Sequence, residues 1–207
     1  MVVVPDRISP ARRDVLTSER RAGKRLISEK FLMLNALRRA SARARAARSL
    51  YDALIFQARR PVFFADFGVP DSIDGRFDMV TLHAWLVLDR LRAADLMPLA
   101  ERLRDTIFIG FDEALRDLGA GDMGMGRKIK AMREAFNGRM QAYDSADGET
   151  ALAAAIVRNV FRGNEQRQSE ALVIARYALA SRIRLAGCDP RSGELEFADP
   201  PEASPIR

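Results

Sequence analysis

Apolar residues recur at three- and four-residue spacing through most of the chain, which is the spacing that places them on one face of an α-helix. Six segments show this pattern, at about residues 33–60, 74–91, 98–118, 122–143, 148–162 and 165–186. No segment alternates apolar and polar residues for long enough to predict a half-buried strand, and the one β-like stretch, VFF at 62–64, is short. We therefore predict an all-α fold, a single-domain bundle of five to seven helices with short connections.

The segment at 74–91 is apolar nearly all round, which predicts the central helix of the bundle. Each other segment has one apolar face. The residues predicted to face inward are Leu34, Leu37, Ala47, Leu50, Leu54 and Ala58 in the first segment, Leu99, Leu103, Ile107, Phe111, Leu115 and Leu118 in the third, Ile129, Met132, Phe136, Met140 and Tyr143 in the fourth, Leu152, Ile156 and Val160 in the fifth, and Leu172, Ala175, Leu179 and Ile183 in the sixth.

The two ends of the chain lack a sustained apolar stripe. Residues 1–32 are basic and contain Pro5, Pro10 and Gly23, so we predict a disordered tail or a spurious translated extension. Residues 187–207 contain four prolines and are predicted to be irregular. The helical domain is thus expected at residues 33–186, with a basic first helix that Pro61 ends.

The positive charge of the chain is concentrated near its start. Residues 1–60 hold 15 Arg and Lys against 5 Asp and Glu, a net charge of +10, whereas residues 61–207 carry a net charge of −4. The arginines predicted to meet an anionic surface are Arg38, Arg39, Arg43, Arg45 and Arg48. That surface could be RNA phosphate or anionic lipid, and a solvated arm without a partner is the third interpretation. Base stacking is not supported, because no aromatic residue lies between Met33 and Leu50.

The longest apolar run, MVTLHAWLVL at residues 79–88, is too short to span a membrane, which takes about 20 residues in a helix. The chain shows no secretory signal, because its first residues lack the apolar core of a signal peptide. A single cysteine, Cys188, excludes an internal disulfide and a thiolate metal cluster. These features predict a soluble, intracellular protein.

Catalytic and metal-binding patterns are sparse. His83 is the only histidine and lies within that apolar run, which favours a core or partner-facing histidine with a satisfied hydrogen bond over a general base. No nucleophile-elbow motif accompanies it. We therefore expect no catalytic residue, no metal site and no cofactor.

The aspartates around Gly75 resemble a calcium-binding loop, but their register does not fit. With Gly75 at the sixth loop position, Pro70 stands first and Thr81 twelfth, where Asp and a bidentate Glu are required. A second glycine pattern, G-x-G-x-x-G, begins at Gly119 and follows a predicted helix, whereas a dinucleotide site needs a preceding strand. It favours a helix–helix connection, with Asp122 or a nearby residue beginning the next helix.

Three stretches carry a specific combination of motifs. They are FFADFGVPDSIDGRFDMVTLH at residues 63–83, DTIFIGFDEALRDLGAGDMGMGRKIKAM at 105–132 and AFNGRMQAY at 135–143. Together they resemble the ubiquinol–cytochrome c chaperone family over about residues 46–186. Asn137 departs from the family pattern, which often has Tyr there.

The resemblance implies an all-α fold and a non-enzymatic role in assembling the respiratory cytochrome bc complex. It implies newly made cytochrome b as the client, with the ribosome near its exit tunnel, a small partner protein and the membrane surface as further contacts. The implied location is the cytoplasm, peripheral to the inner membrane, or the mitochondrial matrix in a eukaryote. The alternatives are a lipid- or quinone-binding helical protein and a ribosome- or RNA-binding adaptor.

The partner-binding surface is expected at the turn GVPDSIDGRFD, where glycines and proline fix the backbone and charged residues stand beside aromatic ones. Its predicted members are Asp66, Phe67, Gly68, Val69, Pro70, Asp71, Asp74, Gly75, Arg76 and Asp78. A structural interpretation gives Asp74 the role of helix cap and places Asp78 near the positive end of the helix, and both interpretations can hold together.

A second-tier surface is expected on both sides of the glycine-rich connection. Its predicted members are Asp112, Asp117, Asp122, Arg127, Lys128 and Lys130. Phe136, Arg139 and Tyr143 have a spacing that suits core packing as well as partner contact, and the sequence leaves these two roles open.

Overall fold

The structure is a computed structural model that describes the backbone of residues 10–117 and 122–200 and the side chains of residues 31–117 and 126–200. Its helices are α1 (Pro10–Ala58), α2 (Pro61–Ala65), α3 (Ile73–Ala93), α4 (Met97–Asp117), α5 (Asp122–Asp144), α6 (Gly148–Asn159) and α7 (Gln168–Ala186). A 3₁₀ turn, Glu165–Arg167, leads into α7. The described residues contain no strand, so the predicted all-α bundle of five to seven helices is confirmed.

The chain divides into two compact units, residues 1–42 and residues 43–207. The described part of the first unit, residues 10–42, belongs entirely to α1. Residues 10–32 are therefore helical in the structure, whereas the sequence analysis predicted a disordered tail or a spurious extension over residues 1–32. Pro10 occupies the first helical position, where its missing N–H costs no hydrogen bond. The rest of α1 contains one glycine and no further proline, so nothing in its sequence breaks the helix.

Helix α3 is the centre of the second unit, as predicted. It packs against α4, α5 and α7, and 14 of its 21 residues are buried. Helices α6 and α7 also pack against each other. Burial of α3 on several sides explains why its sequence has no wide polar face.

Most residues predicted to face inward do so, but three large ones do not. Leu34 and Leu37 are 59% and 66% exposed, and Ile183 is 76% exposed. Ser181 and Leu185 are buried, and Ile183, midway between them in the sequence, therefore lies on the opposite, outer face of α7. Leu118 lies outside the described residues.

The segment before α3 differs from the sequence interpretation. The β-like VFF stretch lies in the short helix α2, which Pro61 begins, so no strand forms there. After α7, residues 187–200 contain neither helix nor strand, yet they are held against the bundle. Arg90 Nη2 donates to the carbonyl of Cys188 at 2.7 Å, and Ala198 N–H donates to Ser181 Oγ at 3.1 Å.

Candidate partner-binding site

The GVPDSIDG turn joins α2 to α3 through a fixed backbone. Val69 N–H donates to the carbonyl of Phe63 at 3.1 Å, and Ser72 N–H donates to the carbonyl of Pro70 at 2.8 Å. Gly68 has φ of +64°, in the left-handed region that favours glycine. A Cβ added there would also lie 2.7 Å from Nη1 of Arg167, so any other residue would have a strained backbone and would displace the Arg167 guanidinium group.

The first turn of α3 closes against this turn. Ser72 is the N-cap, and its Oγ accepts a hydrogen bond from Gly75 N–H at 3.2 Å. A Cβ on Gly75 would lie 1.9 Å from the carbonyl oxygen of Pro70, so only glycine allows this approach. The prediction that Asp74 caps the helix is wrong, because Ser72 has the extended backbone of a cap and Asp74 lies inside the first turn.

The predicted surface is only partly exposed. Its exposed members are Asp66, Pro70, Asp71, Asp74 and Arg76, and its interior members are Phe67, Val69, Gly75 and Asp78, with Gly68 half-buried. The expectation that Asp78 belongs to an exposed charged surface is wrong, because its side chain is completely buried. The buried members support the turn, and the exposed ones are the group that a partner can reach.

Arg76 and Asp71 form an ion pair at the surface of the turn. Arg76 Nε donates to Asp71 Oδ1 at 2.7 Å, and both side chains are more than half exposed. This hydrogen bond lowers the pKa of Asp71 below the ordinary carboxyl value. The pair therefore stays ionised near neutral pH and holds the Arg76 side chain in one direction.

An apolar groove of about 140 Å³ lies beside this ion pair. Its walls come from four helices: Tyr51 and Ile55 on α1, Phe77 and Val80 on α3, Phe111 and Leu115 on α4, and Met132 on α5. A Cβ on Gly110 would lie 2.0 Å from the Tyr51 hydroxyl oxygen. A glycine in the middle of α4 thus makes the space that the Tyr51 ring occupies.

Arg59 and Arg76 form the boundary between this groove and a second depression. The second depression has a volume of about 540 Å³ and is lined by Pro61, Phe64 and the Arg76–Asp71 pair. We refer to Arg59 and Arg76 as the arginine rim. An apolar groove beside such a rim can hold an apolar side chain and bind an acidic group next to it.

Asp78 lies behind this surface in a buried ion-pair network. Arg139 Nε donates to its Oδ1 at 2.7 Å, and Arg162 Nη1 lies 2.8 Å from its Oδ2. Burial raises the pKa of Asp78, and the two guanidinium groups oppose that change. Arg139 also stacks over the Phe77 ring at 5.0 Å, so the network supports a wall of the groove.

Residues 65–192 match the protein family described as ubiquinol-cytochrome C chaperone, a span that includes the turn and the Asp78 network. The chain belongs to this family. The structure is also similar to a crystal structure described as that of the Cbp3 homolog from Brucella abortus. The two sequences are 32% identical, the TM-score is 0.71, and the match covers 81% of this chain and 97% of that chain. No match was found among curated proteins.

In this member of the ubiquinol–cytochrome c chaperone family, His83 is a buried structural residue, as predicted. Its Nδ1 lies 2.8 Å from the carbonyl of Met79 and its Nε2 lies 2.8 Å from the hydroxyl of Tyr177. The carbonyl can only accept, so Nδ1 carries the proton and Nε2 accepts from Tyr177, whose oxygen accepts in turn from Gln57. Burial lowers the pKa of His83 to about 4, which keeps the ring neutral.

The described part of this chaperone-family chain contains no group of three or more His, Cys, Asp or Glu side chains arranged to hold a metal ion. Within the same residues, no helix has the length and apolar character to cross a membrane. The single Cys188 is a free thiol whose Sγ approaches the carbonyl of Arg184 at 3.6 Å.

The second-tier residues lie on either side of a connection that is only partly described. Asp112 pairs with Arg116 at 2.9 Å, and Lys130 lies 3.9 Å from Glu134. Asp117, Arg127 and Lys128 are exposed. Helix α5 begins at Asp122, as predicted, but the side chain of Asp122 and the glycines at 119 and 121 lie outside the described residues. Their role as a partner surface stays a prediction.

The five predicted anionic-surface arginines of α1 are all exposed. Arg38 and Arg39 belong to the first unit, and Arg43, Arg45 and Arg48 belong to the second. Arg48 pairs with Asp52 at 3.1 Å and lies 5.4 Å from the centre of the Tyr51 ring. The contact of these arginines with an anionic surface also stays a prediction.

Sequence reasoning did not assign Tyr51, Arg59, Gly110 or Arg162 to the site. The role of Gly110 could have been predicted from the sequence. A glycine inside a strongly periodic helix lowers the stability of the helix and often marks a place where a neighbouring group packs close to the backbone. Arg162 has φ of +55° and precedes Gly163, also with positive φ, which marks the turn after α6. Arg59 and Tyr51 carried no local signal, since their role depends on residues from α3 and α4.

Proposed function

We propose that this protein is a non-enzymatic assembly chaperone that binds newly made cytochrome b and promotes assembly of the ubiquinol–cytochrome c oxidoreductase complex. The observation that carries the proposal is the apolar groove beside an arginine rim, in a chain that belongs to a chaperone family. Binding through such a surface changes no covalent bond and needs no catalytic residue.

The proposed mechanism is transient shielding of a client surface. A newly made subunit of a membrane complex exposes apolar residues that its later neighbours will cover. Removing that surface from water stabilises the bound state by about 25 cal/mol per Å² of apolar area. The rigid turn supports this role, because a surface that is already ordered loses little conformational entropy on binding.

The exposed part of the turn is the proposed contact surface. Asp66, Pro70, Asp71, Asp74 and Arg76 are accessible, and Asp71 and Arg76 border the depression beside the groove. The interior members, Phe67, Val69, Gly75 and Asp78, act through the turn by fixing its shape. The second-tier residues extend the proposed surface along α4 and α5.

The basic segment of α1 supports a location near an anionic surface. We propose that Arg38, Arg39, Arg43, Arg45 and Arg48 contact the membrane surface or the ribosome near the exit tunnel, where the client emerges. The proposed location is the cytoplasm, peripheral to the inner membrane, or the mitochondrial matrix in a eukaryote. A small partner protein belongs to the same proposal, by similarity to the family.

The volume of the groove disfavours the lipid- or quinone-binding alternative. Pockets that enclose small molecules have volumes of roughly 300–1,000 Å³. The apolar groove holds about 140 Å³, and the larger depression beside it is bordered by charged side chains. The apolar groove is therefore below that range, and the depression that lies within the range has charged walls, which do not suit an isoprenoid or acyl chain.

The test is co-purification of cytochrome b with the tagged wild-type protein and with an Asp71→Ala/Asp74→Ala/Arg76→Ala variant. We expect the variant to recover much less cytochrome b while keeping its thermal midpoint. A matched control replaces two acids and one arginine elsewhere, Asp189→Ala/Arg191→Ala/Glu194→Ala, all exposed in the described C-terminal segment. Equal recovery by wild type and the turn variant would remove the site from the proposal.

A deletion strain tests the function itself. We expect loss of the assembled cytochrome bc complex in cells that lack this protein, restored by the wild-type gene. A normal amount of the complex in the deletion strain would contradict the chaperone proposal. A normal amount of the complex in the deletion strain, together with an association with ribosomes that is lost steeply with rising salt, would favour the adaptor alternative.

A further inference from the structure

We infer that the groove beside Tyr51 is an anchor pocket for one large apolar side chain of the client, and that the arginine rim binds a carboxylate next to that side chain. The inference rests on the proposed function and adds the chemistry of the client segment: a leucine or aromatic residue close to an Asp or Glu. No sequence motif indicates this pocket, because its walls come from four helices.

The size of the groove fits one side chain. Its volume of about 140 Å³ is close to the ~150 Å³ of an apolar cavity known to bind benzene. Phe77, Val80 and Phe111 are each less than one-tenth exposed and form its floor. A leucine or an aromatic ring inserted against them loses water contact on most of its surface, which is the environment of a binding hot spot.

The walls of the groove are held in place before binding. The Phe77 and Phe111 rings pack with their centres 5.2 Å apart, and Arg139 stacks on Phe77 from the buried network. Tyr51 sits against Gly110, where any side chain would collide with its hydroxyl. A pocket built from such contacts does not need to form when the client arrives.

The charges at the groove select an acidic neighbour for the anchor. Among the described residues that line it, Arg59 and Arg76 are the only charged ones. Arg59 makes no ion pair within the described part of the chain, and the contact of Arg76 with Asp71 uses Nε, leaving the terminal nitrogens to donate. Two guanidinium groups at one edge are suited to a carboxylate, which accepts paired hydrogen bonds from arginine.

The edge of the groove provides a reporter position. Ile73 lines it, follows the cap of α3 and is 54% exposed, so its side chain can be replaced without opening the core. Ile183 on α7 is 76% exposed and gives a matched control. We propose replacing each in turn with the photo-reactive p-benzoylphenylalanine, irradiating cells that make cytochrome b, and mapping the crosslinked peptides by mass spectrometry.

The expected result is a crosslink from position 73, and none from position 183, to a cytochrome b peptide with a large apolar residue within ~4 residues of an Asp or Glu. Two variants then test the pocket and the rim. Ala114→Trp fills the groove from an exposed lining position, and Arg59→Glu reverses the charge of the rim. Each should lower the crosslink yield at least roughly tenfold, the loss typical of a hot-spot contact.

Matched controls separate these effects from general damage. Ala180→Trp on α7 and Arg158→Glu on α6 change exposed residues that line neither the groove nor the adjoining depression, and they should leave the yield unchanged. Replacing the acid of the mapped peptide with arginine should restore crosslinking to the Arg59→Glu variant. All variants should keep the wild-type thermal midpoint.

Three outcomes would overturn the inference. The first is an unchanged yield in Ala114→Trp or Arg59→Glu. The second is a mapped peptide without an acidic residue near its apolar one, and the third is a lipid adduct at position 73 in place of a peptide. If wild-type protein co-purifies cytochrome b while one of these occurs, the anchor inference fails alone. If it recovers no cytochrome b, the proposed function fails with it.

Discussion

Asp78 Oδ1 accepts a hydrogen bond from Arg139 Nε at 2.7 Å, and this contact joins two motifs, DGRFD on α3 and FNGR on α5. Asp78 is completely buried, and the Arg139 side chain is 16% exposed. Arg162, in the turn after α6, approaches the second carboxylate oxygen at 2.8 Å. One carboxylate therefore holds three parts of the bundle together directly behind the candidate surface.

Asp78→Asn should destabilise the protein strongly. The amide keeps the shape of the side chain but leaves Arg139 and Arg162 facing each other without a buried negative charge. Breaking a buried ion pair by removing one partner costs about 3–5 kcal/mol, and the partial exposure of Arg162 places this case near 3 kcal/mol. Urea denaturation at neutral pH measures the change in the free energy of unfolding.

Asp74→Asn is the matched control for that experiment. Asp74 lies one turn earlier on the same helix, is 81% exposed and is 3.8 Å from Arg162. An exposed pair of this kind contributes about 0–1 kcal/mol. Similar losses for the two variants would contradict the structural role assigned to Asp78.

Gly75→Ala should disrupt the turn that carries the exposed charged residues. The new Cβ would lie 1.9 Å from the Pro70 carbonyl oxygen, so the turn or the first residues of α3 must move. We expect a loss of about 1–3 kcal/mol, in the range of overpacking substitutions, and reduced recovery of cytochrome b. Differential scanning calorimetry and co-purification measure the two effects.

Gly138→Ala on α5 provides the comparison for Gly75→Ala. Apart from the backbone of α5 itself, no atom of the described residues lies within 4 Å of a Cβ added at this helical position. The substitution should stabilise the protein by up to about 1 kcal/mol, because alanine favours helix over glycine by that amount. If Gly75→Ala also raised the free energy of unfolding, the close approach of Gly75 to the Pro70 carbonyl would not be what requires glycine in this turn.

The helices could be predicted from sequence because burial on one face leaves a regular spacing of apolar residues. Helices α3 to α7 follow that spacing, and the all-round apolar character of α3 identified it as central. Helix α2 was missed because its 5 residues are too few to show a period. The helix before Met33 was missed because its residues have helical propensity but no apolar stripe.

The candidate site was less predictable, because its geometry depends on residues far apart in the chain. The charge of Asp78 indicated an exposed residue. Its burial depends on Arg139, 61 positions away in the chain, and on Arg162, and the sequence alone does not place either beside it. The unusual glycines of the turn were recognised correctly as fixed backbone. The sequence did not show which neighbour each glycine approaches. The structure places the Pro70 carbonyl beside Gly75 and the Arg167 side chain beside Gly68.

Tyr177→Phe should remove the centre of the buried polar network. The Tyr177 hydroxyl donates to His83 Nε2 and accepts from Gln57 Nε2 at 2.9 Å. Its loss leaves His83 Nε2 without that donor, whereas Gln57 Nε2 keeps the carbonyl of Ala198 at 3.4 Å. We expect a cost of about 1–3 kcal/mol, that of one buried polar atom left without its partner. Chemical denaturation measures this cost, and nitrogen NMR of wild-type His83 should report the Nδ1–H tautomer.

The buried histidine should also make stability depend on pH in a defined window. The ordinary pKa of histidine is 6.5, and burial lowers the pKa of His83 to about 4. Between these values the unfolded chain binds a proton that the folded chain does not, so the free energy of unfolding falls as pH falls from 6.5 to 4. The total loss from this group is about 3 kcal/mol, and above pH 6.5 its contribution is constant.

His83→Gln isolates this contribution from the titration of surface carboxylates, which both proteins share. The glutamine amide can donate to Met79 and accept from Tyr177, as the imidazole does, but it does not titrate. Urea denaturation from about pH 7.5 to pH 4.5 should show a shallower fall in the free energy of unfolding for the variant. The two proteins should therefore converge in stability as the solution becomes more acidic. Parallel curves would mean that His83 gains its proton without leaving the folded core, and that the network with Tyr177 does not keep it neutral.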